Sequence, residues 1–128
     1  MSQKEILNTD NAPAAIGPYN QAVKVEKTLY VSGQIPLIPG TTDLVTTGVA
    51  DETQQVLKNL EAILTHAGYG FSDVVKATIF LSNMDDFATV NEIYAQYFTE
   101  NQPARECVAV KTLPKQVNVE ISVIAWKA

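Results

Sequence analysis

Apolar side chains recur at the three- and four-residue spacing of an amphipathic helix in two segments of the chain, residues 51–67 and residues 85–98. Asp51 with Gln54 three residues later is typical of the capping box that begins a helix, and Gly68 stands where a helix commonly ends. The pattern therefore predicts two helices. The second has an apolar stripe that we interpret as core: Phe87, Val90, Ile93, Tyr94, Tyr97 and Phe98.

Shorter apolar runs with many β-branched residues predict strands at residues 23–25, 28–32, 74–81, 106–112 and 117–126. Glu26 and Lys27 suit the turn of a first hairpin, and the segment from Leu113 to Gln116 suits the turn of a second. Residues 8–18 and 36–47 are rich in Pro, Gly and small polar residues, which is typical of loops. The predicted order is β-β-α-β-α-β-β, in a single domain over residues 1–128.

Helices that alternate with strands predict an α+β fold in which one mixed sheet carries two helices on one face. The other face of this sheet then has no covering layer. Polar residues interrupt the strands, so that face is only partly apolar: Lys24, Thr78, Cys107, Glu120 and Ser122. A face of this kind favours assembly of several copies, with binding sites at the seams.

The second predicted hairpin indicates where chemistry could occur. With its turn centred after residue 114, Cys107 would lie opposite Ser122, and cross-strand partners point to the same face. Arg105 and Glu120 would then share one face, about 13 Å apart along the ladder at roughly 3.3 Å per residue, with room for a small molecule between them. A register shift of one residue would place them on opposite faces.

Each of these side chains also has an ordinary structural explanation. The planar fork of Arg105 suits a carboxylate ligand, but spacing alone favours a surface or interface arginine paired with an acidic neighbour such as Glu106. Glu120 lies in an apolar strand, so it is either a partner for a cation or a carboxylate of raised pKa that transfers protons. Nothing in the sequence places a base beside Cys107, since the only histidine, His66, ends a helix; a small buried side chain is the simpler interpretation.

Composition and charge exclude several classes of function. The 128 residues include 9 Lys and Arg against 14 Asp and Glu, a net charge of −5, which disfavours binding to DNA or RNA and gives no reason to lie on an anionic membrane. The single Cys and single His exclude the common zinc sites, and no nucleotide-binding loop is present. There is no apolar run of about 20 residues and no signal-peptide pattern, so we expect a cytoplasmic protein.

Several motifs, in the same order, resemble those of one known family. The segments are Ala14-Ala15-Ile16-Gly17-Pro18-Tyr19, Ser32-Gly33-Gln34-Ile35-Pro36, Asp86-Phe87-Ala88-Thr89-Val90-Asn91, Pro103-Ala104-Arg105-x-Cys107-Val108-x-Val110, Leu113-Pro114-Lys115 and Val119-Glu120-Ile121. Together they span nearly the whole chain. They are similar to the RidA (YjgF) family of reactive intermediate and imine deaminases.

The resemblance implies a chorismate-mutase-like α+β fold that assembles as a homotrimer, with sites in the clefts between subunits. It implies hydrolysis of 2-imino acids (2-aminoacrylate/2-iminopropanoate and 2-iminobutanoate) to 2-keto acids and ammonia. The imines would come from pyridoxal-phosphate enzymes such as serine and threonine dehydratases. The resemblance implies that the reaction needs neither a metal nor an organic cofactor.

The resemblance also assigns roles to residues of this chain. Arg105 would bind the substrate carboxylate, and Glu120 would orient or activate the attacking water, with the backbone carbonyl of Cys107 as a second contact. The pocket would be lined by Tyr19, Ser32, Gly33 and Asn91 from a neighbouring subunit. From spacing alone, Asn91 is either an exposed polar residue or a hydrogen-bonding group at the edge of a pocket.

A few positions depart from the family pattern, namely Asn20, Glu106, Lys111, Thr112 and Ser122. Alternate residues of a strand point to opposite faces, so we expect Glu106 to point away from Arg105 and the carboxylate-binding role to remain. The changed charge near the site could alter substrate preference or pH dependence.

Two other functions compete with the deaminase. The first is a binding or regulatory protein that holds small keto acids or other carboxylates in the same cleft without turnover. The second is an endoribonuclease. An acidic chain with one histidine disfavours the second, because RNA hydrolysis without a metal usually needs a paired acid and base.

Overall fold

In this computed structural model, which describes residues 3–128, one mixed sheet carries two α-helices. The strands are β1 (Lys4–Leu7), β2 (Ala22–Val25), β3 (Thr28–Gln34), β4 (Val74–Leu81), β5 (Ala104–Ala109) and β6 (Val119–Trp126), and the helices are α1 (Val49–Ala67) and α2 (Phe87–Ala95). Across the sheet the order is β1-β2-β3-β6-β4-β5, with β4 and β5 parallel and the other neighbours antiparallel. The predicted α+β class is confirmed.

Helix α1 follows its apolar stripe but begins two residues before the predicted capping box. Its N-cap is Gly48, and Asp51 instead accepts a hydrogen bond from the Thr47 hydroxyl at 2.6 Å. The predicted end is confirmed, because Gly68 adopts a left-handed φ of 84° and its N–H reaches the last carbonyls of the helix. Helix α2 is shorter than predicted, and a single 3₁₀ turn at Met84–Asp86 precedes it.

The core lies between the helices and one face of the sheet. Every second residue of the central strand β6 is buried there, at Val119, Ile121, Val123 and Ala125. Leu29 of β3 and Ile79 of β4 are fully buried beside them. Burial of a side chain of this size contributes about 1.5–3 kcal/mol, so this apolar layer contributes a large share of the stability of the fold.

The predicted second hairpin is wrong. Strand β6 lies between β3 and β4, whereas β5 pairs in parallel with the far edge of β4. Burial explains the difference: β6 is apolar at every second position and gains most from the centre of the sheet, while five of the six residues of β5 are exposed and suit an edge. Between them, Lys115 and Gln116 take positive φ angles of 54° and 59° in the turn that redirects the chain.

The first predicted hairpin is confirmed, but the strand that precedes it was missed. β2 and β3 pair across the turn at Glu26, which has a φ of 54°. β1 adds to the outer edge of β2. Its four residues include Lys4 and Glu5, so it is too short and too charged for an alternation pattern to reveal it.

The described residues, 3–128, leave the second face of the sheet uncovered, as predicted. Cross-strand partners and alternation place Ile6, Val25, Tyr30, Val108 and Trp126 on this open face, and each is 40–53% exposed. Thr78, Glu120 and Ser122 belong to the open face, whereas Lys24 and Cys107 point to the helix side. Within residues 3–128, no helix is both long and apolar enough to cross a membrane.

Candidate functional site

A cavity of about 510 Å³ opens at the end of the sheet where β3 meets the start of β6. Four of the predicted site residues line it: Tyr19, Ser32, Gly33 and Glu120. Its wall is completed by Pro13, Ala14 and Ile16, by the start of the loop after β3 and by the turn at residues 114–115. The structure thus brings together residues that lie about 100 positions apart in the chain.

Glu120 can occupy this cavity because residue 33 is a glycine. A Cβ added at Gly33 would lie 2.0 Å from Oε2 of Glu120 and 2.9 Å from its Cδ. The register between β3 and β6 shifts at this point, since Val31 pairs with Val123 but Gln34 pairs with Ile121. This bulge and the missing side chain let the carboxylate lie directly against the backbone of β3.

Burial raises the pKa of the Glu120 carboxyl above its ordinary value. The group is about half-buried, and loss of solvent is the cause of the shift. Of the two explanations that the sequence left open, the structure therefore favours a carboxylate of raised pKa over the partner of a cation. Such a group can exchange a proton with a reacting molecule closer to neutral pH.

The wall beside this carboxylate is an irregular segment held by hydrogen bonds. The Ser32 hydroxyl donates to the carbonyl of Asn20 at 2.6 Å, and the N–H of Ser32 donates to the carbonyl of Gln21 at 2.9 Å. The N–H of Tyr19 donates to the carbonyl of Gly17 at 2.8 Å, which turns the chain. The Tyr19 side chain is 51% exposed, so it remains available at the rim of the cavity.

Gln21 is a residue of this site that sequence reasoning missed. Its side chain is 2% exposed, and Nε2 donates to the carbonyls of Thr9 and Pro13 at 2.9 and 2.8 Å. In return Oε1 accepts the N–H of Thr9 at 2.7 Å. A buried amide thus fixes the segment that walls the cavity. A lone Gln before a strand carries no sequence signal for this role.

Arg105 lies elsewhere, on the helix side of β5. Its Nη1 donates to Oδ1 of Asn91 at 2.8 Å. The guanidinium carbon is 4.9 Å from the centre of the Tyr94 ring and 5.6 Å from that of Phe87. Residues 87, 91 and 94 are spaced so that they share one face of α2. We call Phe87, Asn91 and Tyr94 the arginine cradle. Asn91 thus makes a polar contact, but it lies beside Arg105 of the same protomer and not in the cavity wall with Tyr19, Ser32 and Gly33, where the resemblance had placed it.

The predicted shared face of Arg105 and Glu120 is wrong. β4 separates their strands, and the ladder aligns Arg105 with Ala77 and Val123 on the helix side, whereas Glu120 aligns with Phe80 and belongs to the open face. The error follows from the second hairpin, which the structure does not contain. One protomer therefore carries two separate candidate half-sites, one around Arg105 and one around Glu120, and they face different ways.

Cys107 lies on the same side of β5 as Arg105, which we call the arginine side, and it packs partly against the core. Burial raises the pKa of its thiol, and the positive charge of Arg105 opposes that shift. A thiol of raised pKa is a poor nucleophile at neutral pH. His66 lies in the last turn of α1. The geometry therefore agrees with the interpretation of Cys107 as a small packing residue.

Glu106 points to the opposite face from Arg105, as expected. It forms an ion pair with Lys76, which lowers the pKa of the Glu106 carboxyl through a hydrogen bond and charge. Arg105 is thus not the partner of Glu106.

The described part of the chain, residues 3–128, has no cluster of three or more His, Cys, Asp or Glu side chains that could hold a metal ion.

Comparison with known proteins gives consistent matches over nearly the whole chain. The family model described as Endoribonuclease L-PSP matches residues 9–127. The human protein named 2-iminobutanoate/2-iminopropanoate deaminase is 50% identical, covering 95% of this chain and 89% of its own. A RutC family protein of Pyrococcus horikoshii is 51% identical, covering 97% and 98%.

Solved structures agree with the sequence matches. A protein of the conserved Rid family, YyfA from Yersinia pestis, has a TM-score of 0.94 and 49% identity, covering 97% of this chain and 99% of its own. TdcF of E. coli, solved with bound serine, has a TM-score of 0.92 and 41% identity, covering 97% and 99%.

Proposed function

This chain belongs to the RidA (YjgF) family, the family of the endoribonuclease L-PSP model, and from this premise we propose that it is a deaminase of 2-imino acids. It would hydrolyse substrates such as 2-iminopropanoate and 2-iminobutanoate to 2-keto acids and ammonia. Relatives about 50% identical carry the name of this activity. The observation that carries the proposal is the pair of half-sites: an arginine free to bind a carboxylate and a carboxyl of raised pKa in a cavity.

Arg105 would bind the carboxylate of the imino acid. The arginine cradle holds the guanidinium through one N–H, so most of its five donors remain for a ligand. The side chain is exposed in the single protomer. A planar fork binds a carboxylate through two parallel hydrogen bonds, which fixes the orientation of the imine carbon.

Glu120 would move the protons of the hydrolysis. Its carboxylate accepts a proton from water as the water oxygen bonds to the iminium carbon, and the electron pair of the C=N bond moves to nitrogen. The protonated carboxyl then gives this proton to the amine. Ammonia leaves with the C–N electron pair, the hydroxyl proton passes back to the carboxylate, and the C=O bond forms. Uptake of that proton by ammonia gives ammonium and restores Glu120. A raised pKa suits a group that must both accept and return a proton.

A second copy of the chain would join the two half-sites. Arg105 and Glu120 of one protomer cannot meet across the sheet, so we propose a homotrimer in which the arginine cradle of one copy faces the cavity of the next. The open face, with its exposed aromatic and aliphatic side chains, would be covered in that assembly. Light scattering should then give the mass of three chains. We expect Trp126→Glu, which places a charge on the open face, to give smaller species without activity.

The decisive assay follows the decay of an imine. Serine or threonine dehydratase generates 2-aminoacrylate or its four-carbon homologue in place, and its loss is measured with and without the protein. We expect acceleration by the wild type, none by Arg105→Ala, and full acceleration by Lys58→Ala, which removes an exposed charge on α1. An active Arg105→Ala protein would contradict the carboxylate-binding role.

Arg105 is the only arginine of the chain, which permits a second test on unmodified protein. Phenylglyoxal, which reacts with guanidinium groups, should inactivate the protein by modifying one residue, and 2-ketobutanoate should protect it. Inactivation that the keto acid does not slow would place Arg105 outside the ligand site.

Binding of carboxylates without turnover is the second candidate. The E. coli TdcF structure with bound serine favours it, because that protein holds a small amino acid. Affinity for 2-keto acids without faster imine loss would favour this binding function for the present chain. We expect activity in the cytoplasm, where dehydratases would release the imines. The net charge of −5 still disfavours RNA as a substrate.

A further inference from the structure

Tyr94 carries a polar group that the fold does not use. Its side chain is 5% exposed, and within residues 3–128 its hydroxyl is the one buried side-chain nitrogen or oxygen that makes no hydrogen bond of ordinary geometry. Buried hydroxyl groups are normally paired, because an unpaired one loses its hydrogen bonds to water without replacement. A phenylalanine would fill the same space without this loss.

The Tyr94 ring is fixed in place. It stacks on Phe98 with ring centres 4.1 Å apart and planes 12° from parallel, and Phe98 is 2% exposed. Phe71 packs edge-on against Phe98 at 4.8 Å. The ring therefore cannot turn away to find a partner for its hydroxyl elsewhere.

The neighbour that can supply a partner is Arg105. Its guanidinium carbon lies 4.9 Å from the centre of the Tyr94 ring, and one of its nitrogens already donates to Asn91. The remaining N–H groups are free to reorient when a ligand binds. Burial raises the pKa of the Tyr94 phenol, although the charge of Arg105 and a hydrogen-bonding contact with its side chain oppose that shift. The phenol is therefore neutral at physiological pH, and its oxygen already lies within reach of the guanidinium as an acceptor.

We propose that Tyr94 is a positioning residue for Arg105, whose ring supports the guanidinium and whose hydroxyl accepts an N–H of Arg105 in the ligand-bound state. This inference rests on the carboxylate-binding role of Arg105 in the proposed function. Tyr94 acts through the arginine and not on the reacting atoms. Its loss should therefore weaken binding of every carboxylate ligand and leave the chemical step nearly intact.

The test compares Tyr94→Phe, which removes only the hydroxyl, with Tyr94→Leu, which also removes the ring. Tyr97→Phe is the matched control, because the Tyr97 hydroxyl donates to Gln54 at 2.7 Å and takes no part in the cradle. The measurements are the Kd of 2-ketobutanoate by calorimetry, the kcat and KM of imine hydrolysis, and the Tm.

We expect Tyr94→Phe to raise Kd and KM about tenfold, which is typical of one lost hydrogen bond to a charged group. Its kcat should stay within about twofold and its Tm should not fall, since an unpaired buried hydroxyl has been removed. Tyr94→Leu should raise Kd further. Tyr97→Phe should bind the keto acid as the wild type does.

A Tyr94→Phe protein with wild-type Kd and KM would overturn the role of the hydroxyl, and a Tyr94→Leu protein with wild-type Kd would overturn that of the ring. A fall in kcat alone would also overturn the inference. Wild-type protein that binds 2-ketobutanoate but hydrolyses no imine would remove the enzymatic function only, and the binding comparison would still decide the role of Tyr94. Wild-type protein that binds no keto acid would overturn both.

Discussion

The two candidate half-sites of this protein, around Arg105 and around Glu120, have opposite effects on the charge of the side chain at their centre. On the helix side, Arg105 is exposed, lies against two aromatic rings and donates to Asn91, so its positive charge is stabilised before a ligand arrives. At the end of β6, Glu120 is pressed against Gly33 in a cavity, and burial disfavours its negative charge. The surroundings of Arg105 keep it charged and suit the binding of an anion. The surroundings of Glu120 suit a group that gains and loses a proton.

Under the proposed function, this difference would separate carboxylate binding from proton transfer within one chain. Each half-site is built by residues close to it in the fold, yet the sheet keeps the two apart in one protomer. Assembly would then decide activity, because a monomer can hold each half correctly and still lack a complete site. Substitutions on the two sides should consequently change different measured quantities.

We expect Glu120→Gln to give the largest difference between loss of turnover and loss of ligand affinity. The amide cannot accept a proton from water, so turnover should fall by about 10²- to 10⁴-fold, the usual range for loss of a general base. The Kd of 2-ketobutanoate, which reports the arginine side, should change little. Ser122→Ala, one alternate position along the same face of β6, is the matched control. Equal loss of turnover in both variants would deny Glu120 a specific role.

The pH dependence of wild-type activity and stability tests the same difference between the two half-sites. Glu120 must be ionised to act as the base, so kcat/KM should rise with pH to a midpoint above the ordinary carboxyl value of 4.5. Between the unfolded and folded pKa values the folded protein binds more protons, so the contribution of Glu120 to stability falls as pH rises. Glu120→Gln should remove that part of the pH dependence of stability. A midpoint at or below 4.5 would contradict the raised pKa.

Gly33→Ala should have the next largest effect. A Cβ 2.0 Å from the Glu120 carboxylate must displace it, and a shift of about 1 Å can reduce a rate about 10²-fold. Keto acid binding should again change little. A double-mutant cycle isolates the cause: in a Glu120→Ala background, Gly33→Ala should cost no further activity. Additive losses would show that the alanine acts through the backbone instead.

The sequence predicts those parts of this arrangement that depend on residues close together in the chain, and not those that depend on residues far apart. Helix α1, the strands β4 and β6 and the open face follow from the local pattern of apolar residues, and all are confirmed. The pairing of β5 is decided by competition for the centre of the sheet between segments far apart in the chain. Local turn residues such as Pro114 indicate a hairpin there, and the burial of β6 overrides them.

The same limit applies to the site. The residue types of Arg105, Glu120 and Asn91 indicate their chemistry, but whether they meet depends on strand order, which spacing does not contain. Tyr94 lies on the apolar stripe of α2 and is a core residue, as predicted; that its ring also supports Arg105 is visible only once β5 lies beside the helix. The space that Glu120 needs above Gly33 likewise arises from a bulge that the sequence does not reveal.

We expect a smaller effect from a substitution at Glu52, which should change the stability of the fold and not the chemistry of the site. Its side chain is 3% exposed, and its carboxylate accepts the N–H and the amide of Asn118 at 3.0 and 2.6 Å, just before β6 begins. Glu52→Ala leaves those donors unpaired and should lower the free energy of unfolding by about 2–4 kcal/mol in urea titrations. Glu61→Ala, exposed on the same helix, should cost less than about 0.5 kcal/mol. Equal values would mean that the buried pairing contributes nothing.

The smallest effect is expected for Cys107→Ser, on the arginine side. The thiol is partly buried, burial raises its pKa, and the side chain packs against the core two residues from Arg105. A hydroxyl nearly preserves the volume, so kcat/KM should stay within about threefold and the protein should lose about 1 kcal/mol of stability at most. If a folded Cys107→Ser protein with normal keto acid affinity lost all turnover, the thiol would be the nucleophile and proton transfer would not belong to Glu120 alone. Retained turnover leaves the arginine side with binding as its only task, which is the division that the two electrostatic environments predict.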